Sequence, residues 1–254
     1  LAEEGIASLR YDKRTYTHGQ KLLEEFGNEL TVKEETVDDA IMASNLLKED
    51  PRIDPEQVYL AGHSLGGMLS PRIHEEGGDF AGLVILAGSP RSLWEIVYDQ
   101  NMTLLNSATV SEDVREENMK VVEKELEKAE QLDNLTKEEA VDEMVFGMPA
   151  YYLQEMDSFP TKNIVDEMDV PILVLQGRDD FQVTLEHDFS AWEDLLRGKE
   201  HATFKVYDGL NHFFVSYQGQ GEGTIEEYEQ PKTVDEQVIQ DMAEWIQKQA
   251  EEKE

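Results

Sequence analysis

Ser64 stands in the run Val58-Tyr-Leu-Ala-Gly-His-Ser-Leu-Gly-Gly-Met68, where Gly62-x-Ser64-x-Gly66 brackets a hydroxyl with a glycine two residues to either side. A bare pattern of this kind arises by chance in roughly one chain of this length in fifteen. Its flanks carry more information, because an apolar, β-rich run over residues 58–61 leads straight into Gly62 and a helix-compatible stretch over 65–73 follows. A strand, a sharp turn and a helix lift a serine hydroxyl above a sheet, where it can act as a nucleophile. In such an elbow the expectation is that neither Gly62 nor Gly66 has room for a side chain. The Leu65 backbone N–H would point at a reacting carbonyl oxygen, and the helix N-terminus would lie beneath the developing negative charge. His63, inside the elbow, reads as a packing residue rather than a base.

A serine hydroxyl needs a base to become nucleophilic, and the base needs an acid to hold its tautomer. Two later β-rich runs end in candidates. Residues 172–176 lead into Gly177-Arg-Asp-Asp180-Phe-Gln-Val183, which offers Asp179 and Asp180, and residues 203–207 lead into Asp208-Gly-Leu-Asn-His212. Both lie beyond the carboxyl ends of strands, where open α/β sheets place their chemistry. His74, His187 and His201 fall in helical or exposed polar contexts and read as structural, whereas His18, after the Tyr11–Arg14 block at an expected strand end, could line a pocket. His74-Glu75-Glu76 does not continue to the spacing of a zinc helix and no Asp-rich calcium loop occurs, so neither a metal nor a cofactor is expected. Gly219-x-Gly221-x-Gly223 follows no strand and opens no helix, which argues against a dinucleotide site. The absence of cysteine removes disulfides and thiolate chemistry.

The elements that must position these residues alternate short β-rich runs with amphipathic helices, the pattern of a mostly parallel sheet flanked by helices. Strands are expected at residues 5–10, 58–61, 83–87, 172–176 and 203–207. A helix over 31–47 would open on the capping box Thr31-x-x-Glu34. A last helix, capped by Thr233-x-x-Glu236, would place Val238, Met242, Trp245 and Ile246 on one face. Residues 93–168 hold helical patterns and no strand, which predicts a helical cap or lid inserted into a core made of residues 1–92 and 169–254. Its centre, residues 111–143, carries 13 acids against 5 bases and a third box, Thr136-x-x-Glu139. Trp94, Tyr98, Phe146, Tyr151, Tyr152 and Phe159 near its ends could cap an acyl pocket or simply pack as core.

The chain has 254 residues, 39% of them hydrophobic, and a net charge of −34. That balance excludes the clustered cations that nucleic acid or an anionic membrane surface requires. The longest apolar runs fall far short of the roughly 18 residues that span a bilayer, so no membrane insertion is expected. Spread over helix faces, the acidity reads as an adaptation to high salt.

The segments LRYDKR, AGHSLGGMLSPRI, LAGSPRSL, PAYYLQEM, VLQGRDDFQV and DGLNHFF, in that order, resemble the bacterial α/β-hydrolases of the serine carboxylesterase and dienelactone hydrolase-like group. The resemblance implies an α/β-hydrolase fold, an ester-hydrolysing activity on a small-molecule ester, Ser64 as nucleophile, His212 as general base and Asp180 as orienting acid. It selects Asp180 over Asp179 because the family's acid precedes an aromatic-Gln-Val step. It also implies that the first three strands, with the loop that supplies the second oxyanion donor, precede Leu1, so that the chain is a C-terminal portion of a longer enzyme. The alternatives are a serine peptidase or thioesterase of the same fold, or an inert binding module.

Overall fold

The computed structural model describes residues 1–107, 111–219, 223–229 and 231–252. Its strands are β1 (Tyr59–His63), β2 (Gly82–Leu86), β3 (Met144–Val145), β4 (Met148–Pro149), β5 (Ile172–Gly177) and β6 (Ala202–Tyr207). Its α-helices are α1 (Arg14–Phe26), α2 (Asp38–Lys48), α3 (Leu65–Ile73), α4 (Leu93–Ser107), α5 (Glu112–Ala129), α6 (Lys137–Asp142), α7 (Ala150–Asp157), α8 (Thr161–Glu167), α9 (Ser190–Leu195) and α10 (Glu236–Glu251). None of the described helices is long and apolar enough to cross a membrane.

The chain divides into two compact units, one of Leu1–Tyr11, Val37–Pro90 and Thr161–Glu254, the other of Asp12–Thr36 and Arg91–Pro160. In the first, β1, β2, β5 and β6 form one parallel sheet in that order. The register sets Leu60 beside Leu83, Val84 beside Leu173 and Val174 beside Phe204. Apolar runs without alternation suit strands covered on both faces, and Leu83, Val84, Ile85, Leu173 and Leu175 are fully buried at the centre of the sheet. Helix α3 makes the crossover from β1 to β2, and α9 lies between β5 and β6. On α10, Val238, Met242 and Trp245 are buried in a cluster with Val84 and Leu175, with Ile246 packed beside them. Because all four strands run the same way, their carboxyl ends present Ser64, the Gly177 turn and the Asp208 loop on one side.

The strand expected at residues 5–10 is absent. A 3₁₀ turn, Ala2–Glu4, leads into an irregular stretch that pairs with no strand, and β1 has a partner on its β2 side only. A strand forms only against a neighbour that satisfies its backbone groups, and none flanks this stretch among the described residues. Between it and β1 lies a cavity of about 670 Å³, lined by Ile6, Leu9, Leu47, Ile53, Tyr59 and Met242 among others.

The expected helix over 31–47 begins instead as a π-helical turn, Lys33–Val37, before α2. Glu34 accepts from the Thr31 N–H as a capping box requires, but the Thr31 hydroxyl accepts from Lys33 rather than from Glu34. At α10 the cap is Asp235, whose carboxylate accepts from the Gln237 N–H, and not Thr233. The box at Thr136 and Glu139 is reciprocal, as expected.

The second unit contains α1, α4–α7 and the hairpin β3–β4, where no strand was expected. Phe146 and Gly147, both at positive φ, make its two-residue turn. Residues 12–36 cluster here rather than with the sheet, held by Asn28 Nδ2 to the Val141 carbonyl (3.0 Å) and Lys137 to Glu29 (2.7 Å). Trp94, Phe146, Tyr151 and Tyr152 pack against this unit's own core of Leu132, Val145 and Leu153.

Candidate active site

The site is built in the first unit from three loops at the carboxyl ends of β1, β5 and β6. Ser64 follows β1 at φ 54°, ψ −119°, a conformation that costs a non-glycine residue on the order of 1–3 kcal/mol unless its surroundings impose it. Those surroundings are visible: the Ser64 N–H donates to the Leu86 carbonyl of β2, and its own carbonyl accepts from Met68 in the first turn of α3, each at 2.9 Å. A Cβ on Gly62 would lie 2.2 Å from the Gly66 carbonyl oxygen, so glycine is required there. The expectation for Gly66 is corrected, since a Cβ at that position meets nothing within 4 Å. The second crowded position is Gly67, whose Cβ would lie 3.0 Å from the Gly62 carbonyl and 3.2 Å from the Gly88 Cα. Leu65 opens α3, so its N–H lies outside the helical ladder and remains available to an oxyanion.

Asp180 and His212 are both buried, and His212 Nδ1 lies 2.8 Å from Asp180 Oδ2. The carboxylate accepts three further bonds, from the Gln182 and Val183 N–H groups on Oδ1 (2.8 and 3.0 Å) and from Gln176 Nε2 on Oδ2 (2.9 Å). A carboxylate can only accept, so His212 Nδ1 carries the proton in this pair, which leaves the Nε2 lone pair for a proton from a nucleophile. Asp179 is exposed, and its N–H donates to the Leu210 carbonyl at the root of the histidine loop. Gly177 lets the two loops touch, because a Cβ there would lie 2.4 Å from the Leu210 carbonyl oxygen.

Among the described residues no hydrogen bond joins the Ser64 hydroxyl to His212; such bonds are often long until substrate is bound. The bond that does cross from elbow to histidine loop belongs to His63, whose Nε2 lies 2.8 Å from the His212 carbonyl oxygen. His63 was read from sequence as packing, and its ring does lie against that of His212, tilted by 51° with centroids 4.7 Å apart. Gln176 is a second residue that sequence reasoning left out. Fully buried, it bonds Asp180, the Val183 carbonyl and the Gly177 carbonyl. Its signal was present, as the single polar residue closing an otherwise apolar strand. Tyr228 is a third, accepting from Gln182 Nε2 (2.9 Å) and meeting Phe213 edge-on at 4.6 Å.

The remaining histidines take plainer places. His74 Nδ1 accepts from the Phe80 N–H, and His187 is exposed in a π-helical turn capped by Thr184. His18 does not follow a strand. It is exposed in α1 of the second unit. Of the glycine run at 219–223, Gly221 lies outside the described residues.

Three comparisons bear on this arrangement. Residues 1–252 match the prolyl oligopeptidase family. Esterase EstD of Thermotoga maritima is 36% identical over 248 residues, which cover 98% of this chain and 55% of that protein, so the chain spans about half the length of that relative. Est1E from Butyrivibrio proteoclasticus superposes with a TM-score of 0.52 at 13% identity, over 96% of this chain and 85% of its own, a likeness that shows the α/β-hydrolase fold.

Proposed function

The chain belongs to the prolyl oligopeptidase family, and from that premise we propose that it works as a serine esterase on small-molecule carboxylic esters, with Ser64, His212 and Asp180 as its triad. The observation that carries this reading is the buried Asp180–His212 pair standing over the same sheet edge as a serine held at φ 54°. Ser64 Oγ attacks the ester carbonyl carbon while its proton passes to His212 Nε2. The oxyanion that forms is met by the Leu65 N–H. Collapse breaks the bond to the alcohol oxygen, which takes the proton from His212 and leaves an acyl-Ser64. Water then attacks by the same route, giving its proton to His212, and the acid departs as Ser64 recovers its own. Ester is favoured over amide because the relative matched over nearly the whole chain is named an esterase.

A fluorophosphonate probe applied to the protein that carries this chain should label Ser64 and abolish turnover of short-chain nitrophenyl esters. Ser64→Ala should remove both, lowering kcat by at least about 10⁴-fold. An unlabelled Ser64 would reject the enzymatic reading in favour of an inert hydrolase fold. The family's name favours a second reading, a serine peptidase, and faster turnover of peptide anilides than of nitrophenyl esters would establish it.

A further inference from the structure

We propose that His63 is a positioning residue that fixes the acid–base histidine over the nucleophile, an inference that rests on the serine-hydrolase reading above. It is the residue immediately before Ser64 in the chain, and its imidazole reaches the backbone carbonyl of His212 at 2.8 Å. A carbonyl oxygen has no proton to give, so His63 Nε2 is the donor, and the neutral tautomer suffices. The rings of His63 and His212 then lie with centroids 4.7 Å apart, and Phe213 packs on His63 at 5.4 Å.

The consequence follows from what else holds the histidine loop. On its far side that loop is tied to the acid loop by four bonds: Arg178 N–H to the Tyr207 carbonyl, the Arg178 guanidinium to the Asp208 carboxylate, Asp179 N–H to the Leu210 carbonyl, and His212 Nδ1 to Asp180. Those bonds orient His212 with respect to its acid and say nothing about its distance from the nucleophile. Among the described residues 59–68 and 208–216, the His63 bond is the one hydrogen bond joining elbow to histidine loop. Because His63 and Ser64 share a peptide unit, any movement of His212 away from the elbow must first break or stretch this contact. Although His63 is exposed, desolvation of its ring lowers its pKa; the bond to the His212 carbonyl and the Asp180 charge oppose that shift, and the charge on His212 adds to it. A neutral His63 suits the task, since a cation so close would oppose the imidazolium that His212 becomes during turnover.

Three variants test this. His63→Phe keeps an aromatic ring but has no donor. His63→Asn carries a donor too short to reach the carbonyl. His63→Gln places an amide N–H near the position of Nε2. Expected are kcat losses of about ten- to a hundredfold for Phe and Asn, KM within about twofold of the parent, and recovery of most of kcat in the Gln variant. Fluorophosphonate labelling of Ser64 should slow in parallel, measured on samples whose thermal unfolding matches the parent. A Phe variant with full kcat, or a Gln variant as slow as Phe, would overturn the clamp while the esterase reading stood. Loss carried by KM, with kcat unchanged, would assign His63 to substrate binding and equally overturn it. A parent protein that neither labels nor turns over ester would sink the function itself, and the clamp with it.

Discussion

At the scale of single residues, the candidate site is a matter of buried polar atoms finding partners. Asp180 receives four donors, and only one of them, Gln176 Nε2, comes from a side chain other than the histidine. The same amide group also satisfies the Val183 carbonyl at 2.8 Å. Gln176→Leu keeps the approximate volume and removes the donor, leaving a carbonyl and one carboxylate lone pair unpaired in the interior. Such orphaned groups cost about 1–3 kcal/mol each, so urea unfolding should show a loss of about 2–6 kcal/mol for the two together. Esterase turnover should fall about tenfold as Asp180 loses its fixed orientation. An unchanged unfolding midpoint would show that water replaces the amide. Ser64, His212 and the pair Asp179 and Asp180 could be nominated from residue type and strand-end position, and the choice of Asp180 rested on the family resemblance. His63 showed only as packing, because its bond is to a backbone carbonyl, which leaves no mark on the sequence; Gln176 did leave a mark, as the one polar side chain closing an apolar strand, and its partners became visible only in the structure.

At the scale of elements, legibility followed partners in the same way. β2 and β5 announce themselves as unbroken apolar runs because each is covered on both faces and paired on both edges. Residues 5–10, Gly-Ile-Ala-Ser-Leu-Arg, read as a strand on a weaker pattern broken by Ser8 and Arg10, and form none, since strand formation needs a neighbour that composition cannot supply. Caps obeyed local competition. Thr136 kept its box, whereas Thr233 lost the N-cap of α10 to Asp235, whose carboxylate lies two residues nearer the helix and bonds Gln237. The same helix is tied to the sheet edge by Asp241, which takes Lys205 Nζ (2.7 Å), the Tyr207 hydroxyl (2.8 Å) and Gln237 Nε2 (3.0 Å). Burial raises the Asp241 pKa, but these three donors together outweigh it, and the folded value lies below the ordinary one. A depressed folded pKa means stability that is fully present above the unfolded pKa, near pH 4, and lost as pH falls through the folded value. Asp241→Asn should therefore cost about 1 kcal/mol at pH 7, after discounting for solvent at the sheet edge. The difference between the two proteins should close below pH 4. A gap that persisted in acid would place the effect in packing rather than in charge.

At the scale of the whole molecule, the dominant fact is that 22 bases face 56 acids. With every base paired to one acid, 34 carboxylates would have no cation of their own. The pairs that do form illustrate the shortage: Lys128 is shared between Glu125 and Glu143, each at 3.0 Å, and Lys13 with Glu35 and Lys137 with Glu29 spend one base on one acid. Exposed pairs of this kind contribute about 0–1 kcal/mol each and weaken in salt. The unpaired majority repel one another over distances that salt shortens, from a Debye length of about 10 Å at 0.1 M to about 3 Å at 1 M. Folding concentrates these charges, so screening favours the folded state more than the extended chain, and for so one-sided a charge this gain exceeds what the surface pairs lose. The melting temperature should then rise between 0.05 and 1 M sodium chloride, by about 2–4 °C for each kcal/mol of repulsion relieved. Chloride is the appropriate anion, because sulfate would stabilise burial by exclusion from the surface whatever the charge. A melting temperature that stayed level or fell across that range would mean that the acids are already far enough apart for their repulsion not to matter, and the high-salt reading of this composition would fail.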